Sequence, residues 1–439
     1  MVFKTLIDKI SQLRENQGFI KYFKNTSWLL FEKGLRILSV IFIGAWVARY
    51  LGPDNFGVFT YSNSIVAMFM PIAMMGLNDI IIKELVKNGD KNQHNQILGT
   101  SFIIKLSSGV IAFILVLISI LLFQNNSQTI YLILIFSLHL IIQSFDVFDL
   151  HFQSQVKSKF AVYARLIALI ISNIIKIILI VTDSELIWFA GVVIFEFFIT
   201  NIMYGYYYNL INQSILKWRF NMELAKKYLS SSWPLFLSGL MYVFYIRIDQ
   251  IMVKEILGNK SAGIYAVAIS LSEVWYFVPQ IIASSLFPAI LQSKLKSKNL
   301  YTKRLTHLYF ILFWIAIIIA LGMTLFGDFI ISQLYGESYR ESFTILNIYI
   351  WSNVFFFFTT VSSKWLISEN LYLYSFYRNA IGAAVNIILN FILLNTLGLI
   401  GAAISTLISY SVVGLFYDLV NKKLRENFRI KIKSILCIT

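Results

Sequence analysis

Charged and polar side chains recur at helical spacing inside the apolar stretches of this 439-residue chain. One stripe occupies positions i, i+7, i+8 and i+11, and its members are Arg165, Ser172, Asn173 and Lys176. A second stripe on a later stretch consists of Arg378, Gly382, Asn386 and Asn390. Because each spacing keeps its residues on one face of a helix, each stripe is expected to line a water-filled cavity. The alternative is a set of hydrogen bonds that join packed helices.

Cations at membrane depth are candidates for binding an anionic group, because a charge there needs a partner or a cavity. The predicted substrate-binding set comprises Arg36, Lys105, Arg165, Lys176, Arg247, Lys364 and Arg378. Guanidinium groups offer a planar fork to phosphate oxygens, so the predicted ligand carries phosphate or pyrophosphate. Snorkelling to lipid phosphates is the alternative for Lys105 and Lys364. For Arg36, the alternative is a structural i,i+4 ion pair with Glu32.

Three carboxylates nearer the predicted mid-membrane are candidates for binding a coupling proton or Na⁺, and they are Glu196, Asp249 and Glu273. His139 lies on an apolar stretch, where a packed ring is favoured over a proton relay. The chain has one cysteine, Cys437, and no clustered ligands, so neither a metal site nor a cofactor is predicted.

Membrane-spanning helices are needed to position these side chains. The chain is 58% hydrophobic and 13% charged, and a span needs roughly 20 apolar residues. About twelve stretches meet this length, near residues 28–50, 56–80, 97–123, 128–150, 160–182, 186–208, 229–256, 262–291, 303–326, 342–367, 372–396 and 399–420. The sequence therefore predicts an all-α polytopic membrane protein.

Lysine and arginine concentrate in the two tails and in alternate loops, for example at Lys83, Lys87, Lys294 and Lys296. The positive-inside rule then places both termini in the cytoplasm. The net charge of +15 is explained by this topology. Membrane lipids are accordingly predicted partners, and nucleic acid is not.

Two pairs of segments indicate an internal duplication. Residues 51–59 (LGPDNFGVF) resemble residues 257–265 (LGNKSAGIY) at an offset of 206, and Arg165 with Asn173 matches Arg378 with Asn386 at an offset of 213. Two lobes of six helices, related by a parallel pseudo-two-fold axis, would produce this pattern. The predicted parts are an amphipathic segment 1–27, an N-lobe 28–208, a linker 209–227, a C-lobe 228–421 and a basic tail 422–439.

Catalytic signatures are missing from the sequence. It contains no phosphate-binding P-loop, no GxGxxG after a strand and no HExxH. Its predicted loops are too short for a soluble catalytic domain. We therefore expect a transporter that is not an enzyme and that uses an ion gradient or the gradient of its own substrate.

Residues 49–57 (RYLGPDNFG) resemble the signature of polysaccharide biosynthesis proteins, the Wzx-type O-antigen flippases. Weaker resemblances follow in the same order at residues 76–84, 146–159, 335–339 and 399–403. The resemblance implies a MATE-like fold of the multidrug/oligosaccharidyl-lipid/polysaccharide exporter superfamily. It also implies movement of undecaprenyl-pyrophosphate-linked oligosaccharide, for O-antigen or capsule, to the outer leaflet of the bacterial cytoplasmic membrane.

Two other functions stay open at this point. One is a cation-coupled multidrug exporter of the same superfamily, although carboxylates would suit its cavity better than arginine. The other is a non-transporting scaffold of a glycan-assembly complex, although a scaffold has little need for charges at membrane depth. For the flippase, the predicted partners are the lipid-linked oligosaccharide and other glycan-assembly membrane proteins.

Overall fold

The structure is a computed structural model that describes residues 17–436 apart from 89, 125, 212 and 370. In this described part of the chain, helices are joined by short turns and there is no β-strand. Residues 1–16 of the predicted amphipathic segment and Cys437 lie outside the described residues. The all-helical prediction is confirmed.

The helices follow one another closely along the chain. They are α1 (Gln17–Ser39), α2 (Ala45–Met74), α3 (Asn78–Lys87), α4 (Lys91–Phe123), α5 (Ser127–Ile142), α6 (Val147–Ser154), α7 (Lys159–Val181), α8 (Leu186–Leu210), α9 (Met222–Glu273), α10 (Phe277–Lys296), α11 (Lys298–Leu334), α12 (Ser342–Tyr349), α13 (Ser352–Ser368), α14 (Tyr372–Leu397), α15 (Leu399–Ser411), α16 (Tyr417–Val420) and α17 (Arg425–Ile435). Short π-helical turns continue α1 at Val40–Gly44 and α15 at Val412–Phe416, and 3₁₀ turns lie at Gln143–Asp146, Ile215–Lys217, Val274–Tyr276 and Glu337–Tyr339.

Among the described residues, nine helical runs are long and apolar enough to cross a membrane. A tenth span is the pair α12 and α13, which is bent by 43°. Two of the runs, Lys24–Lys87 and Met222–Lys296, contain 64 and 75 residues. A single span needs only about 20 residues. Each long run therefore holds two of the twelve predicted spans, which accounts for the lower number of runs.

Glycines break both long runs at the predicted outer turns. Gly52 has φ 70° and ψ 168°, and Gly258 has φ 85° and ψ 179°. These backbone conformations are accessible to glycine and disfavoured for residues with a Cβ. The two members of the sequence repeat thus adopt the same local conformation, as a structural duplication requires.

The two repeated turns also pack on each other. A Cβ atom at Gly57 would lie 1.9 Å from the carbonyl oxygen of Asn259, and one at Gly263 would lie 2.0 Å from that of Pro53. The offset of 206 relates Gly57 to Gly263 and Pro53 to Asn259. The contact is therefore reciprocal, as in an interface around a two-fold axis.

Contacts divide the chain into two compact units. Unit 1 comprises the residues up to Gly44 together with Phe69–Phe236, and unit 2 comprises Ala45–Met68 together with the residues from Leu237 onward. The predicted lobes group residues by the sequence repeat, whereas the units group them by contact. The segment Ala45–Met68 packs with unit 2 because it carries the glycine contact.

The predicted linker 209–227 packs against other parts of unit 1. The indole N–H of Trp218 donates to the Tyr208 hydroxyl at 3.1 Å, and its ring contacts Phe102 and Phe148. The Arg219 backbone lies so close to Gly99 that a Cβ there would be 2.7 Å away. The contacts of the half-buried Trp218 with these aromatic rings hold its part of the segment against the rest of unit 1.

The predicted basic tail contains α17, which docks on unit 2. Leu424 and Ile430 are buried. The buried Lys431 Nζ donates to the Gly414 carbonyl at 2.6 Å and pairs with Asp418 Oδ2 at 2.7 Å. Burial, partly offset by the Asp418 carboxylate, lowers the pKa of Lys431. Within the tail, α17 is thus an amphipathic helix whose basic residues are divided between surface and interior.

Candidate functional site

Six charged side chains of unit 1 form one row of alternating sign, which we call the ionic ladder. In order, the ladder runs Lys176, Glu196, Arg36, Glu32, Arg165 and Asp149. The helices α1, α6, α7 and α8 supply these side chains. All six lie within candidate membrane spans. Charges at that depth are costly unless they are paired or hydrated, and here each of the six side chains has a neighbour of opposite charge.

Glu196 on α8 joins Arg36 and Lys176 within the ionic ladder. Its Oε1 accepts from Arg36 Nη1 at 3.0 Å, and its Oε2 lies 3.7 Å from Lys176 Nζ. The hydroxyl of Ser172 also donates to Oε2 at 2.7 Å. One carboxylate therefore holds two cations from different helices, α1 and α7.

Glu32 on α1 joins Arg36 and Arg165 within the ionic ladder. Its Oε1 accepts from Arg36 Nε at 2.9 Å, one helical turn away. Its Oε2 lies 3.7 Å from Arg165 Nε on α7. Arg165 Nη1 in turn donates to Asp149 Oδ2 at 3.2 Å. The alternative interpretation of Arg36, a pair with Glu32, is thus present as one part of a larger network.

The ionic ladder contains three cations and three carboxylates, so its formal charges cancel. The Arg36 side chain is 40% exposed, against 7% for Glu32 and 14% for Glu196. An incoming anion could therefore reach Arg36, but it would have to compete with two carboxylates already bound there.

Lys105 on α4 lies in the interior of unit 1. Its side chain is fully buried, and its Nζ donates to Asp146 Oδ1 at 2.5 Å and Asn78 Oδ1 at 2.6 Å. The Gln143 amide donates to the other oxygen of Asp146 at 3.1 Å. Because the ammonium group is enclosed by these partners, the structure places it away from lipid phosphates.

His139 belongs to the same region of unit 1. Its ring stacks on Phe197 with a centroid distance of 3.6 Å, and Nε2 lies 3.1 Å from Gln143 Oε1. Stacking and one hydrogen bond fix the imidazole in place. The structure therefore shows a packed histidine at this position.

Unit 2 holds a second group of the predicted residues. Arg247 Nη1 lies 3.7 Å from Glu273 Oε2. Asp249 is buried and accepts hydrogen bonds from Tyr265 Oη at 2.7 Å, Thr406 Oγ1 at 3.1 Å and its neighbouring backbone N–H at 2.8 Å. Three donors satisfy a carboxylate without a cation. Glu273 is more exposed and is held by a longer contact, so it is the easier of the two for an ion to reach.

Arg378 on α14 differs from every cation of the ionic ladder. Its side chain is buried, with 1% of the residue exposed, and Nη2 donates to Ser363 Oγ at 2.7 Å. Within the described part of the chain, its Nε and Nη1 atoms have no hydrogen-bond partner. No carboxylate among the described residues lies within ion-pair distance of its guanidinium. This side chain is therefore a buried and weakly compensated positive charge.

A model of the family described as "Polysaccharide biosynthesis protein" matches residues 22–294, which is more than half of the chain. The chain belongs to the polysaccharide biosynthesis protein family. A second family model, described as MatE, matches residues 234–392. Together they place the chain in the multidrug/oligosaccharidyl-lipid/polysaccharide exporter superfamily, among multi-pass membrane proteins.

Solved structures of this superfamily share the fold of this family member. An inward-facing multidrug resistance MATE family transporter superimposes with a TM-score of 0.69 at 15% identity, covering 90% of this chain and 94% of that one. The lipid II flippase MurJ in an inward closed conformation gives a TM-score of 0.67 at 14% identity, covering 94% and 91%. An uncharacterized membrane protein of Methanocaldococcus jannaschii is 27% identical over 207 residues, and this match spans 46% of the chain and 48% of that protein.

In this polysaccharide biosynthesis family member, the predicted residues fall into separate groups. The ionic ladder collects Arg36, Arg165, Lys176 and Glu196 in unit 1. Arg247, Asp249, Glu273, half-buried Lys364 and Arg378 lie in unit 2. Asn386 and Asn390 bond each other at 2.9 Å, and Asn386 bonds Ser409 at 3.2 Å. The stripe beyond Arg378 therefore contains one hydrogen bond within α14 and one interhelical hydrogen bond, to Ser409 of α15, of the kind that the alternative interpretation describes.

Two carboxylates that neutralise predicted cations of unit 1 were not identified in the sequence analysis. Asp146 pairs with Lys105, and Asp149 pairs with Arg165. Their i,i+3 spacing at the end of an apolar stretch is a signal that could have identified them, because two acids there need cationic partners. They fall in the segment 146–159, which was noted only for its family resemblance.

Proposed function

We propose that this protein is a flippase that moves undecaprenyl-pyrophosphate-linked oligosaccharide from the inner to the outer leaflet by alternating access. The ionic ladder carries this proposal. Six charges from four helices at membrane depth are expensive to keep in a protein that only needs to fold. The planar guanidinium groups of the two arginines can donate paired hydrogen bonds to the oxygens of a phosphate or pyrophosphate group.

The ionic ladder suggests how such a head group would bind and leave. In the empty state, Glu196 and Glu32 are paired with Arg36, and the formal charges of the complete ionic ladder cancel. The pyrophosphate would take the place of these carboxylates on the guanidinium. When the substrate leaves, the carboxylates would bind Arg36 again. In this proposal, substrate binding and release are the exchange of one anionic partner of Arg36 for another.

Ion coupling in this proposal involves Glu196, Asp249 and Glu273. Glu196 contacts the proposed phosphate-binding cations directly, whereas Glu273 is held by Arg247 in unit 2. The coupling ion is H⁺, Na⁺ or none. The proposed location is the bacterial cytoplasmic membrane with both termini in the cytoplasm, and the glycan would serve O-antigen or capsule, with other glycan-assembly membrane proteins as partners.

A cation-coupled multidrug exporter is the second candidate. The equal number of carboxylates and cations in the ionic ladder favours it, because a cationic drug could replace Arg36 on Glu196 as readily as a phosphate replaces Glu196 on Arg36. The MatE model match also supports it. A non-transporting scaffold for glycan assembly remains the third candidate, and a positive transport assay would exclude it.

Reconstitution tests these candidates directly. The purified protein is placed in sealed vesicles with a fluorescent undecaprenyl-pyrophosphate oligosaccharide, and leaflet exchange is measured with and without a proton or Na⁺ gradient. We expect protein-dependent exchange well above that of empty vesicles. Exchange of cationic dyes without exchange of the lipid-linked sugar would instead establish the drug exporter, and no transport of either would favour the scaffold.

Glu196→Gln separates the flippase from the drug exporter by the sign of its effect. The amide keeps the shape of the side chain and removes the charge that competes for Arg36 and Lys176. We expect the lipid-linked pyrophosphate to bind about tenfold more tightly, which corresponds to about 1.4 kcal/mol. Equilibrium binding of the fluorescent substrate measures this change.

Glu185→Gln is the matched control, because Glu185 is exposed at the start of the same helix and outside the ionic ladder. Its affinity should equal that of the unmodified protein. Weaker substrate binding by Glu196→Gln would contradict the proposed exchange of anions. Loss of dye binding in that variant would support the drug exporter.

A further inference from the structure

A groove between α10 and α11 in unit 2 combines apolar walls with a basic end. Its volume is about 430 Å³, and Leu286, Ala289 and Ile290 of α10 line one wall. Leu300, Leu308 and Ile311 of α11 line the other. None of these residues belongs to the ionic ladder or to the predicted substrate-binding set. The groove therefore shares no residue with the proposed transport site.

Three basic side chains of α11 lie at one end of this groove, and they are Lys303, Arg304 and His307. All three are exposed. Arg304 Nη1 donates to the Ala289 carbonyl at 3.1 Å, so this guanidinium reaches across the groove from α11 to α10. In the described part of the chain, no carboxylate lies within ion-pair distance of Lys303 or Arg304.

An exposed apolar stripe continues from the basic end along α11. It consists of Ile311, Trp314, Ile318, Leu321 and Leu325. Their spacing of three and four residues keeps them on one face of the helix. Fourteen residues of helix rise about 21 Å, and half of the hydrocarbon core is about 15 Å thick. The stripe is therefore long enough to accompany an acyl chain through one leaflet.

We propose that this groove binds an anionic bilayer phospholipid. Its phosphate would contact Lys303, Arg304 and His307, and its acyl chains would lie in the groove and along the stripe of α11. Basic residues at a membrane boundary attract anionic headgroups. The groove adds a defined apolar contact to this attraction, which is why one lipid molecule is expected to stay bound.

The ligand is a two-chain phospholipid, for two reasons. A free phosphate would use the basic end but would leave the apolar walls without a partner. The proposed transport substrate has its cations in unit 1 and in the interior of unit 2 around Arg378. The lipid site therefore does not depend on the proposed function, and it can be tested without transport.

Native mass spectrometry of the full chain tests the proposal. The protein is purified in detergent and titrated with phosphatidylglycerol or with phosphatidylcholine, and bound lipids are counted. We expect one phosphatidylglycerol to be retained at least fivefold better than phosphatidylcholine. The double variant Lys303→Gln/Arg304→Gln should lose this preference, and excess inorganic phosphate should not displace the lipid.

Two further variants distinguish lipid binding in the groove from diffuse electrostatic attraction of lipid to the protein surface. Ala289→Trp fills the groove without changing charge and should also lose the bound lipid. Lys422→Gln/Lys423→Gln removes the same charge from the exposed tail and should retain it. Equal loss in this tail variant, or full retention by Ala289→Trp, would overturn the proposal. Displacement by inorganic phosphate alone, or a stronger preference for undecaprenyl phosphate, would overturn it as well.

Discussion

Replacing Arg378 with methionine should raise the thermal stability of the purified protein and abolish transport of lipid-linked sugar. The guanidinium is buried with one hydrogen bond, to Ser363, and its Nε and Nη1 have no hydrogen-bond partner among the described residues. An incompletely compensated buried charge costs several kcal/mol. Methionine is unbranched and fills irregular apolar space well, so it should occupy the same volume at lower cost.

We expect the free energy of unfolding to increase by about 2 kcal/mol in Arg378→Met, the range found when buried charges are replaced by apolar side chains. Such a gain would show that the residue is kept in spite of its cost to stability. Residues of that kind are typical of functional sites, where stability and activity are in conflict. The proposed benefit is the attraction of a pyrophosphate by a positive charge that has no carboxylate within ion-pair distance in the described part of the chain.

Thermal unfolding in detergent and the vesicle exchange assay measure the two effects on the same preparations. Arg340→Met is the matched control, because Arg340 is 63% exposed and its contacts with Asp328 and Glu337 are long. Surface pairs of this kind contribute about 0–1 kcal/mol. A lower unfolding temperature for Arg378→Met would assign Arg378 a structural role. Normal transport in that variant would remove Arg378 from the proposed site.

The membrane spans could be predicted from the sequence because hydrophobicity alone determines which segments enter the bilayer. The two outer turns were predictable for a different reason. Gly52 and Gly258 each follow a leucine and open a short turn that contains polar residues, and both have the positive φ that glycine permits. A local signal and a repeat at an offset of 206 agreed at these turns, so the turns and the duplication were identified together.

The ion pairs could not be predicted, because hydropathy gives the depth of a charge and not the rotation of its helix. Arg36 and Glu196 are 160 residues apart in the chain and 3.0 Å apart in the structure. Lys105 had the depth of a snorkelling lysine, yet it points inward to Asp146. In unit 1, the cations of the predicted substrate-binding set are therefore paired with carboxylates in the structure.

In the basic tail too, the sequence does not show which charged residues are buried and paired. Its lysines and arginines satisfied the positive-inside rule as a group, and composition alone treats them as equivalent. The structure separates them, since Lys422 and Lys423 are exposed while Lys431 is buried against Asp418. Only the packing of α17 on unit 2 makes this distinction, and no pattern in the tail itself indicates the partner.

Gly57→Ala should destabilise the protein, although the same change usually stabilises a helix. Gly57 lies within the helical run of α2, where alanine is preferred over glycine by about 1 kcal/mol. The added methyl carbon would lie 1.9 Å from the Asn259 carbonyl oxygen, which belongs to the backbone and cannot rotate away. The two repeated turns would have to separate by more than 1 Å, roughly the difference from a normal contact. Overpacking of this kind costs about 1–3 kcal/mol.

Gly322→Ala is the control for the preference of a helix for alanine over glycine. Gly322 lies in a helix of the same unit and has nothing within 4 Å of a Cβ atom. Thermal unfolding in detergent should show a lower midpoint for Gly57→Ala and an equal or higher one for Gly322→Ala. If both variants were stabilised, the close contact between the repeated turns would be wrong.

The pseudo-symmetric partner makes this test sharper. Gly263→Ala should have a similar effect to Gly57→Ala, because its methyl carbon would lie 2.0 Å from the Pro53 carbonyl oxygen. Both substitutions force apart the same pair of turns, so the second should cost less once the first has separated them. The double variant should therefore be less destabilised than the two single variants would predict by addition, as expected for residues that share an interface. Strict additivity would mean that the two glycines act in separate contacts, and the reciprocal packing of the repeats would then be incorrect.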